Sequence, residues 1–310
     1  MIEVIGLNDI SAKILADSIN SSGDRMTSLE LNFPRFILAE NNTHRILSKN
    51  AASSRAIPVE AMLKQIETAP AMPVHWGQNN PGMQSKQELD ETRKAAAQGV
   101  WLAAMRSAIS HAKVLSEKDG INVHKQIANR ITEPFAMTKQ VLSGTHFGNL
   151  LNLRDHADAQ PEFQELAKCI RLAMEQSTPT KLNPGEWHLP YVDFVDGKYF
   201  VSGEEVSLQV ARKVSASCCA QVSYRKLDDS IEKALKIFDM LHLEDPHNQN
   251  KHSSPVEHQA TPMDSYSIPF SPQTWQPGIT HVRKDGSLWS GNLRGWIQHR
   301  QLIANEAVWN

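Results

Sequence analysis

The period of hydrophobic and polar positions changes several times along the 310-residue chain. Apolar runs at 2–6 and 13–19 predict two short strands. Within 27–33, leucines and a phenylalanine alternate with polar residues, which predicts a third, half-buried strand. The start of the chain therefore predicts a β-sheet.

Helical spacing of apolar residues dominates the later part of the chain. The predicted helices cover 85–118, the segment that follows Gly120, 161–176 and 228–242. Pro34 suits the first turn of one more helix, and Asp196-Gly197 predicts a β-hairpin. Residues 58–84, rich in Pro, Asn and Gly, predict an ordered loop. Strands mixed with long helices predict the α/β (α+β) class rather than a βαβ repeat.

Composition excludes several kinds of protein. The net charge of -2 provides no general attraction to nucleic acid or to an anionic membrane. No apolar run approaches the roughly 20 residues that span a bilayer, and the N-terminus does not resemble a signal peptide. Cys169, Cys218 and Cys219 form no CxxC pair and no disulfide framework. We therefore expect a soluble cytoplasmic protein that binds neither membrane nor nucleic acid.

The common nucleotide-binding and hydrolytic motifs GxGxxG, GxxxxGK[ST], HExxH and GxSxG are absent from the sequence. The first of three polar clusters is "THRILSKNAASSR". Its His44 and Arg45 can contact phosphates or a flavin ring, and Ser53, Ser54 and Arg55 can hold a second anion. A solvated helix end explains this cluster, taken alone, about as well as a ligand site does.

The second cluster contains Arg130, Asn149, Asn152, Arg154 and Gln160. The two asparagines stand among leucines, where a buried amide would need a hydrogen-bond partner. Satisfied core asparagines and a surface salt bridge at Arg154 are the favoured explanation of this cluster alone.

The third cluster, "KHSSPVEH", contains His252, Glu257 and His258, whose spacing fits no common zinc pattern, so we predict no metal. The alternative is a polar loop in which Ser253 or Ser254 caps a turn.

Together the three clusters resemble segments of the flavin-dependent thymidylate synthases. The family signature is Arg-His-Arg, seven residues, then Ser, a small residue and Arg. Thr43-His44-Arg45 and Ser53-Ser54-Arg55 reproduce this spacing. "ANRITEP", "NLLNLRDHADAQPEF" and "KHSSPVEH" are similar to three other family segments.

The order of these segments differs from that of the family. The piece similar to 215–258 comes first in ordinary members, whereas here it follows the pieces 27–55 and 125–180, as in a circular permutation. The resemblance implies a flavin-dependent thymidylate synthase-like fold with segments in permuted order, and 181–212 would be the new bridge. Long, rearranged relatives of this kind are associated with bacteriophages.

The resemblance implies one catalytic domain over 1–310. Residues 59–124 would be an insertion-like loop plus a long helix, and 263–310 a C-terminal extension of unknown role. Members of the family work as homotetramers with sites at subunit interfaces, which we carry over as an expectation.

The chemistry implied by the resemblance is methylation of dUMP at C5. Methylenetetrahydrofolate would supply the carbon and reduced FAD the hydride, with NADPH as reductant of the flavin. The implied FAD contacts are His44, Arg45, Ile46, Asn149 and Ser254. The implied nucleotide contacts are Ser53, Ser54, Arg55, Arg130 and Arg154. Arg154 and His252 are the predicted catalytic residues, and Arg154 would stabilise negative charge on the base.

Several positions depart from the family pattern. Thr43 replaces arginine, Ala51 replaces glutamate and Glu40 replaces glutamine, while Ser143 and Thr145 replace an asparagine and an arginine. These departures leave open dCMP as the acceptor, a hydroxymethyl product for phage DNA base modification, or a flavin- or nucleotide-binding protein without turnover. A nucleic-acid-binding module is disfavoured by the charge, and "GNLRGWIQHR" is predicted to serve packing.

Overall fold

The computed structural model describes residues 2–222, 230–245, 247–248, 251–266 and 271–307. Strands and helices are mixed without a βαβ repeat, so the predicted α+β class is confirmed. The permuted, thymidylate synthase-like arrangement stays a prediction.

A six-stranded sheet forms the centre of the protein, with its main strands in the order β1-β2-β3-β5-β4. These pairs are antiparallel, and β6 adds a short parallel pair beside β2. The strands are β1 Glu3–Ile5, β2 Ser11–Ile19, β3 Arg25–Pro34, β4 Ser48–Ala51, β5 Met137–Gly144 and β6 Thr180–Lys181. The three strands predicted in the first 33 residues are confirmed.

Strand β3 is the centre of the core. Leu29, Leu31 and Phe33 are completely buried, as the alternation predicts. Their neighbours Thr27 and Ser28 are buried as well, because β2 and β5 pair with β3 on its two sides and further segments cover the second face. The strand is therefore more deeply buried than a half-buried pattern implies.

Eight α-helices and several short 3-10 helices are described. The α-helices are α1 Leu38–Asn41, α2 Val59–Thr68, α3 Glu91–Ser116, α4 Lys125–Ala128, α5 Gly148–Arg154, α6 Pro161–Gln176, α7 Leu208–Ala220 and α8 Ile231–Asp239. Helix α6 has the predicted bounds and packs on β1, β2 and β3. The first two positions of the predicted helix 228–242 lie outside the described residues. No described helix is both long enough and apolar enough to cross a membrane.

The prediction of a loop throughout 58–84 is wrong for its first part. Helix α2 begins after Pro58 and buries Met62, Leu63 and Ile66 on one face. Three apolar residues at helical spacing are enough to stabilise this helix, because α3 and the 3-10 helix Asn129–Phe135 cover them. The long helix α3 starts six residues later than predicted, at Glu91, where the side chain of Asp90 accepts a hydrogen bond from the backbone of Arg93.

The remaining strands form three small sheets. Their bounds are β7 Asp193–Val195, β8 Lys198–Val201, β9 Glu204–Val206, β10 Ala260–Pro262, β11 His281–Val282, β12 Leu288–Ser290, β13 Leu293–Arg294 and β14 Trp296–Gln298. The predicted hairpin is confirmed, and Asp196 and Gly197 both have positive φ, at 49° and 79°. The packing role of "GNLRGWIQHR" is confirmed by Trp296, which is fully buried and donates to the backbone oxygen of Asp24 at 3.1 Å.

A chain of buried hydroxyl and imidazole groups connects the large sheet to later segments. Ser28 Oγ lies 2.6 Å from Ser143 Oγ and 2.8 Å from His188 Nε2. His188 Nδ1 lies 2.9 Å from Ser18 Oγ, and His258 Nδ1 lies 2.8 Å from Ser143 Oγ. Burial lowers the pKa of His188 to about 4 and that of His258 to about 3, so both rings are neutral at neutral pH.

These lowered pKa values predict acid sensitivity. Unfolded histidines protonate near 6.5 whereas the folded ones do not, so stability is lost as pH falls from about 6.5 toward about 4. Each proton taken up on unfolding makes the free energy of unfolding fall by about 1.4 kcal/mol more per pH unit. Urea unfolding between pH 7 and 4.5 should give a shallower pH dependence for His188→Gln than for the wild type. The exposed control His111→Gln should keep the wild-type slope; an unchanged slope in His188→Gln would contradict the assignment.

Candidate functional site

Arg154 joins the first and second sequence clusters. It ends α5, and its Nε donates to His44 Nε2 at 3.0 Å. Its Nη1 forms an ion pair with Glu40 of α1, and its guanidinium lies 4.9 Å from the ring centre of Phe163. The His44 ring packs edge-on against the same phenyl ring at 5.7 Å. Arg154 is therefore held on three sides, by one group each from α1, α6 and the signature.

The histidine of this cluster is an uncharged acceptor. Burial, followed by the charges of Arg154 and Lys49, lowers the pKa of His44 to about 4. Because its Nε2 accepts from Arg154, we assign the ring proton to Nδ1. The ring can therefore orient a guanidinium and hold a proton at Nδ1 at neutral pH.

Lys49 is a titratable group that the sequence did not single out. Its ammonium donates to the backbone oxygen of His44, and to that of Leu47 at 3.2 Å. Burial lowers its pKa to about 8, partly opposed by Glu257. Lysines are common on strands, so the sequence does not distinguish Lys49 from the others. Only its contacts in the folded chain do.

The second half of the signature gathers around a carboxylate. Glu133 Oε1 accepts from Ser54 Oγ at 2.6 Å and from Arg130 at 3.3 Å. Arg35 contacts the same oxygen at 3.3 Å and donates to the backbone oxygen of Ala52 at 2.9 Å. Two predicted nucleotide contacts thus lie together, although the Ser54 hydroxyl is buried and committed to Glu133.

Several predicted ligand contacts are exposed on the surface. Among the described residues, the side chains of Arg45, Arg55, Asn149, His252 and Ser254 are exposed and make no hydrogen bond or ion pair. Their predicted roles stay predictions, as do those of Ser53 and Ile46. The exposed side chains of Arg45, Arg55 and Asn149, and those of His252 and Ser254, can therefore meet a ligand or another chain.

The expectation of buried asparagines in α5 is wrong. Asn149 and Asn152 are both exposed, and Leu150 is the residue that the helix buries. The helix has only seven residues and packs one face on α6, so most of its sequence faces outward. The polar character of α5 therefore belongs to a surface rather than to the core.

The third cluster divides between surface and core. Ser253 donates to the backbone oxygen of Glu306 at 2.9 Å, and Glu257 pairs with Arg300 at 2.5 Å, whereas His258 is completely buried. Neither predicted serine cap forms, since the described 3-10 helix Ser254–Glu257 has no side-chain cap. Within the described ranges, no three His, Cys, Asp or Glu side chains lie close enough to hold a metal ion.

The C-terminal extension fixes the signature in place. Asn292 Nδ2 donates to the backbone oxygen of Ile46 at 2.9 Å and to Ser48 Oγ at 3.0 Å. Gln298 Nε2 bridges Asn292 Oδ1, at 2.8 Å, and the backbone oxygen of Glu257, at 3.0 Å. The extension, to which the sequence assigned no role, therefore joins the first and third clusters.

Two of the departures from the family pattern lie at this junction. Ser143 belongs to the buried hydroxyl and imidazole chain, and Thr145 Oγ1 accepts from the backbone of Arg294 at 3.1 Å. An asparagine and an arginine at these positions would have to displace contacts that this chain makes with its own later segments. The two departures therefore fit the packing of this chain.

The described part of the chain contains a cleft of about 770 Å³ and a smaller pocket of about 210 Å³. Within the described part of the chain, neither is lined by a residue that the resemblance assigns to FAD or to the nucleotide.

No protein-family profile matches the chain, and no curated protein matches it. Among solved structures, the chain is similar to a UMP/dUMP methylase, PolB from Streptomyces cacaoi, bound with 5-Br UMP. The TM-score is 0.45 at 15% sequence identity, and the match covers 54% of this chain and 89% of that one.

The pKa of His44 reports the geometry of the Arg154 cluster. Arg154→Met removes a nearby positive charge, so we expect the pKa of His44 to rise above about 4 while burial keeps it below 6.5. Imidazole chemical shifts followed by NMR during a pH titration measure this change. Arg106→Met, an exposed position on α3, is the control and should leave the titration unchanged. An unaltered His44 pKa in Arg154→Met would show that the two side chains do not interact in solution.

Proposed function

We propose that the chain is a flavin-dependent pyrimidine deoxynucleotide C5 methyltransferase that acts on dUMP. The observation that carries this proposal is the Arg154 cluster, which unites the signature with the arginine of the second motif. The resemblance predicts that these two motifs share one site, although about 110 residues separate them. Methylenetetrahydrofolate would be the carbon donor.

Arg154 is proposed to hold the base and to stabilise negative charge that develops on it. Its position supports this role because Phe163 covers one face of the guanidinium and His44 fixes the Nε edge. A donor held in place before the reaction needs little reorganisation when charge develops. Neutral His44 supports Arg154 without adding a second charge.

The nucleotide phosphate is proposed to lie beside Arg55 and Arg130, with Ser53 in reach. Arginine suits this role because its planar fork matches phosphate oxygens and stays charged. Glu133 at present occupies the anion-accepting position between Arg35 and Arg130. A phosphate would compete with this carboxylate, or bind on the outer side of the exposed Arg130.

The donor set fits a flavin dinucleotide chemically. His44, Arg45, Ile46, Asn149 and Ser254 would hold FAD, which supplies hydride chemistry when bound. Arg45, Asn149 and Ser254 are exposed and have no side-chain partner among the described residues, which suits contacts with a polar ligand. Because these side chains are exposed on one chain, a second copy of the chain would enclose a ligand that they hold, as the proposed homotetramer implies.

The decisive variant is Arg154→Ala. We expect it to retain FAD yet to lose turnover about 100-fold, because one preorganised donor contributes on the order of 3 kcal/mol to barrier lowering. The measurement is formation of the methylated nucleotide from dUMP, methylenetetrahydrofolate, FAD and NADPH, detected by mass spectrometry. Arg106→Ala is the control and should keep wild-type turnover. Undiminished turnover in Arg154→Ala would remove Arg154 from the mechanism.

A visible spectrum of the purified protein tests the flavin part separately. Bound flavin should bleach with NADPH and reoxidise faster when nucleotide and folate are both present. Failure to retain flavin, with or without nucleotide, would favour a protein without turnover.

The carboxylate of Glu40 favours a second acceptor, dCMP. Glu40 contacts Arg154 directly, so an acceptor and a donor stand side by side at the proposed base edge. Cytosine offers an exocyclic amino group to an acceptor and ring acceptors to a guanidinium. A glutamine amide can donate as well as accept, so a glutamine at this position would not require a donor on the base.

Exchange of this carboxylate for an amide tests the choice of base. If Glu40 accepts from the amino group of cytosine, Glu40→Gln should lower kcat/KM for dCMP relative to dUMP by about tenfold, the equivalent of about 1.4 kcal/mol. Both nucleotides are compared in wild type and variant, with the product mass distinguishing methyl from hydroxymethyl. An unchanged ratio would show that Glu40 does not distinguish the bases.

A further inference from the structure

The cleft of about 770 Å³ lies outside the proposed nucleotide site. One side is formed by the segment 73–86, which follows α2, and the other by the start of α6. Its volume falls within the roughly 300 to 1,000 Å³ typical of small-molecule sites. Most of its lining belongs to this chain's insertion-like region and to the residues that follow Arg154.

Beside the segment 73–86, part of the lining of the cleft is aromatic and apolar. Trp101 and Phe36 line it and pack edge-on at 6.3 Å. The indole nitrogen of Trp101 already donates to the backbone oxygen of Ala71 at 3.0 Å, so the ring offers apolar surface to a ligand. Met83 lies at the rim with its side chain fully exposed. Such a wall favours a flat, largely apolar ring.

The opposite wall contains one uncommitted amide. Gln160, just before α6, and Gln164 and Lys168 within it recur at helical spacing and line the cleft. Gln160 donates to Glu162 at 2.7 Å, and Lys168 lies 4.0 Å from Glu165. Gln164 is half-buried, and its side chain has no hydrogen-bond partner within the described residues. Its amide can donate and accept at adjacent atoms.

The cleft is already formed in the single chain. Gln84 Nε2 donates to the backbone oxygen of Ala159 at 2.9 Å, which attaches the segment 73–86 to the start of α6. Within this segment, His75 Nε2 lies 2.8 Å from the backbone oxygen of Ser85. Glu162 accepts from the backbone of Val74 at 2.9 Å. These contacts connect both walls, so ligand binding need not first order the loop.

We propose that this cleft binds a planar heteroaromatic ring with a lactam edge, that is, an adjacent N–H and C=O. The ring would lie against Trp101 and Phe36, and the lactam edge would pair with the amide of Gln164. Charges at the rim are paired within the chain, since Lys86 lies 3.5 Å from Asp158 and Lys168 lies 4.0 Å from Glu165. The expected ring is therefore uncharged. Pyrimidines, pterins and flavins all share this lactam chemistry.

The test measures ring binding to the full chain by calorimetry, without reductant or nucleotide monophosphate. The probes are uridine, 6-methylpterin and riboflavin, each compared with its form methylated at the lactam nitrogen. We expect methylation to weaken binding about tenfold, equivalent to one to two hydrogen bonds. The ring that binds most tightly distinguishes a pyrimidine, a pterin and a flavin as the source.

Gln164→Leu should weaken binding of the parent ring about tenfold and leave the affinity for the methylated ring unchanged. The variant should therefore bind the two rings equally well. Gln209→Leu makes the same exchange at an exposed position of α7 and should change neither affinity. The proposal is overturned if none of the three rings binds, or if Gln164→Leu binds the parent ring as tightly as the wild type. Because turnover at Arg154 is not measured, this result is independent of the proposed methyltransferase activity.

Discussion

The cross-strand pair Ser48 and Ser143 is the point on which the arrangement of the site depends. Strands β4 and β5 place these residues opposite each other, and both are buried. A buried hydroxyl is stable only with a partner, so each serine recruits a different segment. Ser143 contacts His258, at the end of the third cluster, and Ser48 contacts Asn292 of the C-terminal extension. The signature, the third cluster and the extension therefore meet at one place in the sheet.

The electrostatics of the site follow a second constraint, the pairing of cations within the chain. Arg154 is paired with Glu40, and Arg35 and Arg130 share Glu133. These carboxylates stabilise the arginines in the absence of a ligand, and each occupies a position where a ligand acceptor would otherwise bind. An anionic nucleotide would gain contacts with the arginines but would face repulsion from Glu40 and Glu133. In the proposed site, the same arrangement would favour a ligand that brings hydrogen-bond donors to Glu40.

The sequence predicted those elements whose evidence is local. The bounds of α6 follow from Pro161 and one apolar stripe, and the hairpin follows from Asp196-Gly197. Helix α2 was missed because its three core residues stand beside a stretch rich in Pro and Gly, and their partners are distant in sequence. The exposure of Asn149 was missed because a seven-residue helix shows too few turns to reveal which face is buried.

The difference between local and long-range evidence also explains what was predicted of the candidate site. The resemblance brought His44 and Arg154 together correctly, because the spacing of its motifs carries long-range information that periodicity lacks. Glu133, Arg35, Lys49 and Phe163 gave no such signal. Their roles arise from partners that only the folded chain provides. Charged residues are frequent on every surface, so their type alone did not distinguish them.

Part of the candidate site is buried and part is exposed, so one chain encloses the site only in part. The residues that orient Arg154 are buried or half-buried, whereas Arg45, Arg55, Asn149 and His252 are exposed. A site that must exclude water needs a cover over these exposed groups. The cleft of about 770 Å³ is on the other side of the start of α6, where Gln160 and Gln164 line it while Phe163 contacts Arg154. A single chain thus provides a preformed cleft and an open polar surface on adjacent faces of one helix. A second copy over the open surface would enclose the Arg154 cluster without altering the cleft.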